Sequence, residues 1–591
     1  MINAPAKSKL RGRNRFTTNA LNVIEPIPHR DPESRTPSAR RGVLRAIRVA
    51  SVSRRQLTWI ATIILALVLL PAALYSPGND SSLYFVSGQK ILHQGAAHYR
   101  DIVDVKPPLI YYLYAVSAAV FGSHSQSYRL LDYMLQLATA LMIAALVARY
   151  AGRTEGFIAA LIYACMYVAQ SYNGTALTES YVGLFAVPMI LLQLKRRRRS
   201  HFVGIGFLAG GLFLLKFSLM TSLGVAIVAE LMLFDDTFAR RARNVALMIA
   251  GFAGAAALLP LYLTVFDAWI GFAEMNAFLT GYLQNQTPGI GAAVREALTA
   301  LPSYFTDEFS LAMLALCAIG MMLGFTGPSD ESPDDARISN RTRLLRLATL
   351  NALVMIAGVV LEAKYRAFHF SRLLPFAAIV AGIALVWITN EVRRRRPLGS
   401  YAWALLLVIV PVAIIVSPIA RYVRHSAAVA FWIAKGPEGF DRMYYTEELG
   451  YSYVQLAAMR DTIRSREVRY TIGDVRDGGP NNDAMFVSSG VAGLVYAFAG
   501  KIPEARIYHS AFLIAPYSPP QWRRETSRYL VERQPRFIVA HLNDSMEEMT
   551  GSRLSSADML RTLPGVDSLL RNAYDTAYAS NHFELYERRR R

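Results

Sequence analysis

The stretch RRQLTWIATIILALVLLPAALYSPGND, residues 54–80, decides the architecture of this chain. Two arginines precede an uncharged apolar run at 57–75, close to the roughly 20 residues that an α-helix needs to cross a bilayer. Arginines flanking a span favour the cytoplasmic side, so this helix is predicted to run outward. Asp80 then follows the span at the opposite surface, which places the first loop outside the cytoplasm.

The composition indicates a membrane protein with many spans. The 591 residues are 53% hydrophobic and carry a formal net charge of +20, with a mean hydropathy of +0.25. A basic excess can mark a nucleic-acid-binding protein, but here the arginines form short clusters between apolar runs, at 195–199, 240–243 and 393–396. Such clusters control topology, which excludes nucleic acid as the natural partner. The only two cysteines lie inside apolar runs, so no disulfide framework is indicated.

The alternation of apolar runs and arginine clusters predicts an α-helical polytopic protein with about 11 transmembrane helices. The short run at 107–122 is assigned to a surface or re-entrant helix in the first outer loop, because counting it as a span would put cluster 195–199 outside. Residues 1–55 are predicted to be a disordered basic cytoplasmic tail, and residues 56–420 the membrane domain. Residues 267–308 are predicted to form a large outer loop, and the last span covers 401–418.

Residues 421–591 have a different pattern, in which helix-like stretches alternate with short β-branched and aromatic ones. The strand candidates are Ala484–Val487, Phe537–Ala540 and Phe583–Tyr586. Alternation of this kind predicts a small α/β domain. The odd number of crossings places this domain outside the cytoplasm.

The first outer loop carries a dense set of charges next to the bilayer. Charges at that depth need partners or a function. Asp80 follows turn residues, so a helix cap is an equal alternative to a catalytic role. Lys106 precedes two prolines, which force an extended approach to the next helix. Near it lie Tyr99, Arg100 and Asp101.

Further titratable residues are predicted to reach the same outer surface from distant segments. Glu179 follows a later span, Lys216 ends a glycine-rich helix, and His369 and Arg372 lie in an aromatic stretch. Basic residues on the outer side run against the general charge bias, and a phosphate-binding site would explain them. The alternatives are that Glu179 is a solvated loop carboxylate, that Lys216 is a snorkelling lysine and that His369 is a structural histidine.

Other catalytic patterns are absent from the sequence. It contains no Walker loop, no dinucleotide-binding glycine motif after a strand, no His-Glu-x-x-His and no Gly-x-Ser-x-Gly. No metal-ligand spacing stands out, so no cofactor is assigned and a divalent cation stays an open alternative.

The first outer loop resembles that of the type-C, multi-span glycosyltransferases, in the branch of the protein O-mannosyltransferases and aminoarabinose transferases. The resemblance covers roughly residues 55–390, and its later motifs are looser than the Lys-Pro-Pro loop. The matching positions are Asp80, Tyr84, Gly95, Tyr99-Arg100-Asp101, Lys106-Pro107-Pro108-Leu109, Glu179, the glycine-rich helix ending in Lys216, and Arg372-Leu373-Leu374-Pro375.

This resemblance implies transfer of a sugar, with inversion, from a polyprenyl-phosphate carrier. The acceptor would be a glycan, lipid or protein at the outer face of the cytoplasmic (inner) membrane. Asp80 becomes the candidate general base, with Glu179 supporting the substrates. Lys106, Lys216 and Arg372 become candidates for stabilising the leaving phosphate.

By the same resemblance, the other substrate-binding candidates are Tyr99, Arg100, Asp101 and His369. One position departs from the family pattern. Many relatives carry two adjacent acids where this chain has Asp80 followed by Ser81, so Asp101 and Asp104 are both candidates for the second carboxylate.

Three other functions compete with this assignment. A transporter or lipid flippase would carry ionisable residues near the bilayer midplane and often matched halves. Here the charged candidates gather at one surface and no two-fold repeat is evident. A scaffold or sensor would leave the charged first loop unexplained, and a cell-surface polysaccharide polymerase or ligase is a neighbouring enzyme class. The sequence does not specify the sugar, the acceptor or the oligomeric state.

The predicted topology can be tested with a fusion at the C-terminus. A reporter that is active only in the cytoplasm, joined after Arg591, is expected to be silent because the arginine clusters place the C-terminal domain outside. The same reporter after Arg153 should be active. Strong activity of the fusion at Arg591 would contradict the predicted topology.

Overall fold

The computed structural model describes residues 53–196, 198–234, 236–286, 289–305, 311–326, 335–362, 365–394, 418–443, 453–473 and 484–589. Nearly all of the predicted N-terminal tail, and residues 401–417 of the last predicted span, lie outside the described residues.

Helices occupy the apolar runs of the membrane part as far as residue 394. In chain order they are α1 Arg54–Ala73, α2 Asn79–Gln94, α3 Leu109–Phe121, α4 Ser127–Tyr150, α5 Arg153–Ala169, α6 Val182–Lys195, α7 Arg199–Leu215, α8 Thr221–Met232, α9 Phe238–Ala256, α10 Leu258–Val265, α11 Trp269–Gln286, α12 Ile290–Tyr304, α13 Leu311–Thr326, α14 Asp335–Glu362 and α15 Leu374–Arg394. Among the described residues, five helical stretches are long and apolar enough to cross a membrane, and four shorter apolar helices accompany them. The protein is therefore a multi-pass membrane protein; the number of spans and their directions stay predictions.

The first outer loop is helical rather than extended. Its first helix, α2, begins after the Pro-Gly pair and ends at Gly95, whose left-handed backbone (φ 64°) stops the helix. The second helix, α3, has 13 residues, which rise only about 20 Å. That is short of the hydrocarbon thickness of a bilayer, as expected for a helix that does not span.

The segment at 267–308, predicted to be a large outer loop, contains helices; its side of the membrane stays a prediction. It folds into α11 and α12. These helices were not predicted, because charged residues at the ends of the segment suggested a loop. Met275 and Phe278 on α11 are buried, and the ring of Phe278 lies 5.7 Å from that of Trp522 in the C-terminal part. The apolar face of this helix is therefore covered by protein.

After α16 at Pro418–Met443 and α17 at Tyr453–Gly473, the chain forms a small α/β layer around a four-stranded sheet. The strands are β1 Met485–Ser488, β2 Phe537–His541, β3 Tyr574–Ala579 and β4 Phe583–Arg588, in the order β1-β2-β4-β3. The first pair is parallel, with Val487 opposite Val539, and β4 runs antiparallel to both of its neighbours. The predicted α/β layer and its three strands are confirmed. The fourth strand of the sheet, β3, was not among the candidates, because exposed polar residues interrupt its apolar pattern.

Helices cover this sheet, namely α18 Ala492–Ala499, α19 Pro520–Arg533, α20 Ser556–Thr562 and α21 Val566–Ala573. The helix-like stretch at 555–570 forms two helices, α20 and α21. The pair Pro564-Gly565 separates them, and Gly565 has a left-handed backbone with φ 76°.

The α/β layer packs directly on the first outer loop. Gly493 of α18 lies so close to α2 that a Cβ atom there would be 2.5 Å from the backbone nitrogen of Leu83. The hydroxyls of Ser87 and Tyr508 are 2.5 Å apart. Lys90 donates from Nζ to the carbonyl oxygen of Ala505 at 2.8 Å. Helix α2, which carries Asp80, is thus held between the membrane helices and the C-terminal part.

Candidate active site at the outer ends of the helices

Glu179 is the centre of a buried group of charges. It lies in a 3-10 turn, Thr178–Tyr181, between α5 and α6, and only 2% of its surface is exposed. Its Oε1 accepts hydrogen bonds from Lys216 Nζ at 2.6 Å, His369 Nδ1 at 2.7 Å and Arg372 at 3.3 Å. Four of the predicted site residues therefore meet, although they come from three distant segments.

A second carboxylate completes this group and was not predicted. Glu362 is the last residue of α14, where an acid ending an apolar run was the only available signal. Arg372 donates to its Oε1 at 2.7 Å, and Lys216 Nζ lies 2.5 Å from its Oε2. We call Glu179, Lys216, Glu362, His369 and Arg372 the ion cluster. Its two carboxylates balance its lysine and arginine.

The ion cluster keeps Glu179 ionised. Burial alone would raise the pKa of this carboxyl group, but Lys216, His369 and Arg372 outweigh the burial and hold the pKa well below its usual range. Glu179 is therefore suited to orienting neighbouring groups and unsuited to donating a proton.

Asp80 and Lys106 form a second, more accessible pair. Asp80 lies in the first turn of α2 with 38% of its side chain exposed, and its Oδ2 is 3.9 Å from Lys106 Nζ. Lys106 Nζ also lies 4.8 Å from the ring centre of Tyr84. Burial opposes the positive charge, yet Asp80, Asp104 and Glu179 together raise the pKa of Lys106. The pair and the ion cluster are thus within electrostatic range of each other.

Asp80 does not cap its helix. The backbone nitrogen of Gly78 donates to Ser81 Oγ at 3.1 Å, so Ser81 supplies the capping contact. Among the described residues, Asp80 has Lys106 as its ion-pair partner and makes no hydrogen bond. Its carboxylate is therefore available to a ligand.

The other predicted residues of the first loop shape the loop. Tyr99 donates from its hydroxyl to the carbonyl oxygen of Lys106 at 3.0 Å, which orients that lysine. Arg100 and Asp101 form a partly exposed pair 2.7 Å apart, and Asp101 accepts a hydrogen bond from the backbone of Ala97 at 2.8 Å. The structure brings neither Arg100 nor Asp101 to the ion cluster.

Asp104 and Tyr84 are further polar residues of this region. Asp104 is 3% exposed; its Oδ1 accepts from the backbone of Val105 at 2.6 Å. Within the described chain, neither Asp104 Oδ2 nor the hydroxyl of Tyr84 has a hydrogen-bond partner. Burial, and then Asp80, Asp104 and Glu179, raise the pKa of Tyr84 well above its usual value, so the phenol stays protonated. Buried polar atoms without partners are characteristic of ligand or water sites.

The C-terminal part faces the same region through His509. Burial lowers the pKa of this imidazole, and Asp104, Asp80 and Lys106 are among the charges that act on it. Its Nδ1 accepts a hydrogen bond from the backbone of Ala511 at 3.3 Å, which fixes the ring. Sequence reasoning did not find His509, because only the packing of the α/β layer on α2 brings it here.

A buried arginine holds the two acidic segments in register. Arg129, fully buried on α4, donates to the carbonyl oxygen of Ser76 at 2.6 Å and to that of Tyr172 at 2.8 Å. It also donates to Thr175 Oγ1 at 2.8 Å. Ser76 leads to Asp80, and Tyr172 and Thr175 lead to Glu179. One guanidinium therefore sets the spacing between the two loops.

A second buried network, next to Arg129, supports the Glu179 loop. Asp132 accepts hydrogen bonds from the hydroxyl of Tyr167 and from Gln136 Nε2, which is 3.0 Å away. Gln136 Nε2 also donates to the carbonyl oxygen of Ser180 at 3.2 Å, and Tyr167 accepts from the backbone of Ala176 at 3.0 Å. Ala176 has a left-handed backbone with φ 61°, a conformation that a non-glycine residue keeps only when its surroundings enforce it.

The ion cluster also contains the residues that could hold a divalent cation. Glu179, Glu362 and His369 offer ligand atoms that all lie within 4.8 Å of one another. Both carboxylates already bind Lys216, at 2.6 Å and 2.5 Å. A metal ion would have to displace that ammonium group, so the donor set fits an ion-pair network better.

Comparison with known proteins gives one family match and several similar structures. Residues 105–263 match the family model described as dolichyl-phosphate-mannose-protein mannosyltransferase. No curated protein sequence matches the chain. The crystal structure of ArnT from Cupriavidus metallidurans bound to undecaprenyl phosphate is 12% identical, with a TM-score of 0.53 over 90% of this chain and 98% of that chain.

The archaeal oligosaccharyltransferase AglB from Archaeoglobus fulgidus, in complex with an inhibitory peptide and a dolichol-phosphate, is 13% identical. The two align with a TM-score of 0.48 over 91% of this chain and 75% of AglB. The family match and the ArnT structure both indicate the same fold. These two findings confirm the resemblance seen in the first outer loop: the chain has the type-C fold of the multi-span membrane glycosyltransferases.

Proposed function

We propose that this protein transfers a sugar from a polyprenyl-phosphate carrier to an acceptor at the outer membrane face. The observation that carries the proposal is the Asp80–Lys106 pair, which is partly exposed and within electrostatic range of Glu179 in the buried ion cluster. The family match and the fold shared with ArnT, whose structure contains undecaprenyl phosphate, support the same chemistry. The N-terminus would then be cytoplasmic, and residues 421–591 would form an extracytoplasmic domain.

Asp80 is the proposed general base. Its carboxylate is partly exposed, does not cap α2, and faces a lysine at 3.9 Å. A carboxylate within hydrogen-bond reach of an acceptor hydroxyl can remove its proton as the bond to the sugar forms. The sugar–phosphate bond breaks at the same time, and the carrier leaves as a polyprenyl phosphate.

Lys106 is the proposed ligand of that leaving phosphate. Among the described residues, its ammonium group has a long contact to Asp80 and a ring contact to Tyr84, so it keeps hydrogen atoms to donate. Lys216 and Arg372 were expected to share this role. Because both already pair with Glu179 and Glu362, we assign them, together with His369, to holding Glu179 in place.

An apolar groove of about 400 Å³ offers a place for the first part of the carrier chain. Leu301 and Phe305 of the α12 segment and Leu314 of α13 line it. The ring of Phe305 lies 6.2 Å from that of Phe370, which follows His369 in the chain. The groove therefore reaches the 3-10 segment Ala367–Leu373, which also carries His369 and Arg372.

A transporter or flippase is not favoured. The ion cluster lies at helix ends and in connecting turns, and its charges cancel one another. A transport pathway would require charged sites near the middle of the spans. A polysaccharide polymerase or ligase would use the same carrier chemistry, and only the identity of the acceptor separates it from the proposal.

Replacing Asp80 tests the catalytic assignment. The Asp80→Asn variant is expected to lose transfer by about 10²–10⁴-fold, because the amide cannot accept the proton, while carrier binding persists. The measurement is radiolabel transfer from a panel of polyprenyl-phosphate sugars into membrane extracts. Asp575→Asn, an exposed acid on β3, serves as the matched control. Full activity of Asp80→Asn would refute the assignment.

Measuring carrier binding distinguishes the proposed role of Lys106 from that of Lys216. Lys106→Gln is expected to weaken binding of polyprenyl phosphate by roughly tenfold, because a charge-assisted contact to the phosphate is lost. Lys216→Gln should lower thermal stability more than it lowers affinity at a temperature where the variant stays folded. Equal affinity of wild type and Lys106→Gln, measured by titration in detergent, would remove Lys106 from the phosphate site.

A double-mutant cycle tests the ion cluster. Glu179→Gln should destabilise the protein by about 3–5 kcal/mol, because it leaves buried cations without a counter-charge. Adding Lys216→Met to this variant should recover part of the lost thermal stability. If the two changes are additive in a thermal-shift assay, then Glu179 and Lys216 do not depend on each other.

A further inference from the structure

A second cavity, of about 310 Å³, lies between the membrane part and the C-terminal part. One wall comes from the outer end of α1 and from α2, with Leu74 and Gln89. The turn before α4 adds Ser123 and His124. The opposite wall comes from α17 and α18, with Arg460 and Arg464. None of the functions assigned above uses this cavity.

The lining of this cavity is basic. Arg460 and Arg464 lie one turn apart on α17, and no aspartate or glutamate lines the cavity in the described chain. Arg460 donates from Nε to Asp461 at 2.9 Å, which leaves its terminal nitrogens for another acceptor. Arg464 has no hydrogen-bond or ion-pair partner among the described residues. By contrast, Arg466 on the same helix is bound to Glu587.

The membrane-side wall is held in place by its own hydrogen bonds. Gln89 is 6% exposed and donates from Nε2 to the carbonyl oxygen of Ser123 at 2.9 Å. His93 Nε2 and Ser123 Oγ lie 2.7 Å apart. On the opposite side, the hydroxyl of Tyr453 at the start of α17 donates to the carbonyl oxygen of Pro77. Because both walls are fixed, the two arginines face a cavity of defined shape.

The cavity is separate from the candidate active site. Gln89 follows Asp80 by nine positions, which is two and a half turns at about 3.6 residues per turn. These two residues therefore lie on opposite faces of α2. A ligand in the cavity would contact the rear of the helix that carries Asp80, without touching Lys106 or the ion cluster.

We propose that this cavity binds the phosphate-bearing headgroup of an anionic membrane lipid. Leu74 belongs to the cavity and lies at the end of the apolar run of α1, which places the opening at the level of lipid headgroups. Two arginines one turn apart can hold the oxygens of one phosphate through several charge-assisted hydrogen bonds. A bound headgroup would link α17 to α2 and so join the C-terminal part to the first loop.

The test compares two pairs of arginines in the full-length protein. The double variant Arg460→Gln/Arg464→Gln removes the proposed contacts. Arg524→Gln/Arg528→Gln removes an exposed pair with the same spacing on α19 and is the matched control. Each protein is placed in nanodiscs of phosphatidylcholine with an increasing fraction of phosphatidylglycerol, and the bound lipids are counted by native mass spectrometry.

We expect the first double variant to lose at least tenfold in affinity for phosphatidylglycerol, while the control binds like wild type. Inorganic phosphate in the same titration identifies the source of the ligand. If free phosphate displaces the lipid at comparable concentration, the site recognises phosphate alone and the lipid assignment is wrong. Equal lipid binding by both double variants overturns the proposal. The readout is binding, so it does not depend on sugar transfer.

Discussion

The pairing of Glu179 with Lys216 is the interaction on which the packing of the helix ends around the candidate site depends. A carboxylate at the end of apolar helices is costly unless it is paired. Lys216 lies 2.6 Å from Glu179 and 2.5 Å from Glu362, so it joins the ends of α7 and α14 to the turn before α6. Arg372 makes the same two connections from a fourth segment. Neutralising these charges therefore also fixes where the outer helix ends meet.

Arg129 satisfies buried backbone groups in the way that Lys216 neutralises buried carboxylates. Its fully buried guanidinium satisfies the carbonyl oxygens of Ser76 and Tyr172, neither of which belongs to a span. A buried peptide carbonyl without a hydrogen-bond partner is costly, and one side chain on α4 satisfies two of them. As a result, the segment that leads to Asp80 and the segment that leads to Glu179 keep a fixed spacing, which a reaction between two bound substrates requires.

The sequence predicts features that are local and leaves open those that depend on packing. The apolar run of α1 and the buried strand Phe537–His541 are visible because hydropathy and β-branched residues identify them within a few positions. By contrast, the local sequence does not determine which charged side chains pair with each other. Arg100 and Asp101, both predicted site residues, bind each other, whereas Glu362 at the end of α14 joins the ion cluster. Only the folded chain decides which charge meets which.

The first loop has no second acidic residue directly after Asp80, and the structure shows what takes that position. The position after Asp80 is taken by Ser81, whose hydroxyl accepts from the backbone of Gly78 and starts α2. Asp104, two residues before Lys106, contributes to the raised pKa of that lysine. Asp80, Asp104 and Glu179 therefore act together on Lys106, although they are not neighbours of one another in sequence. Carboxylates from separate segments can therefore converge on one lysine, provided that the loop is held as rigidly as α2 is here.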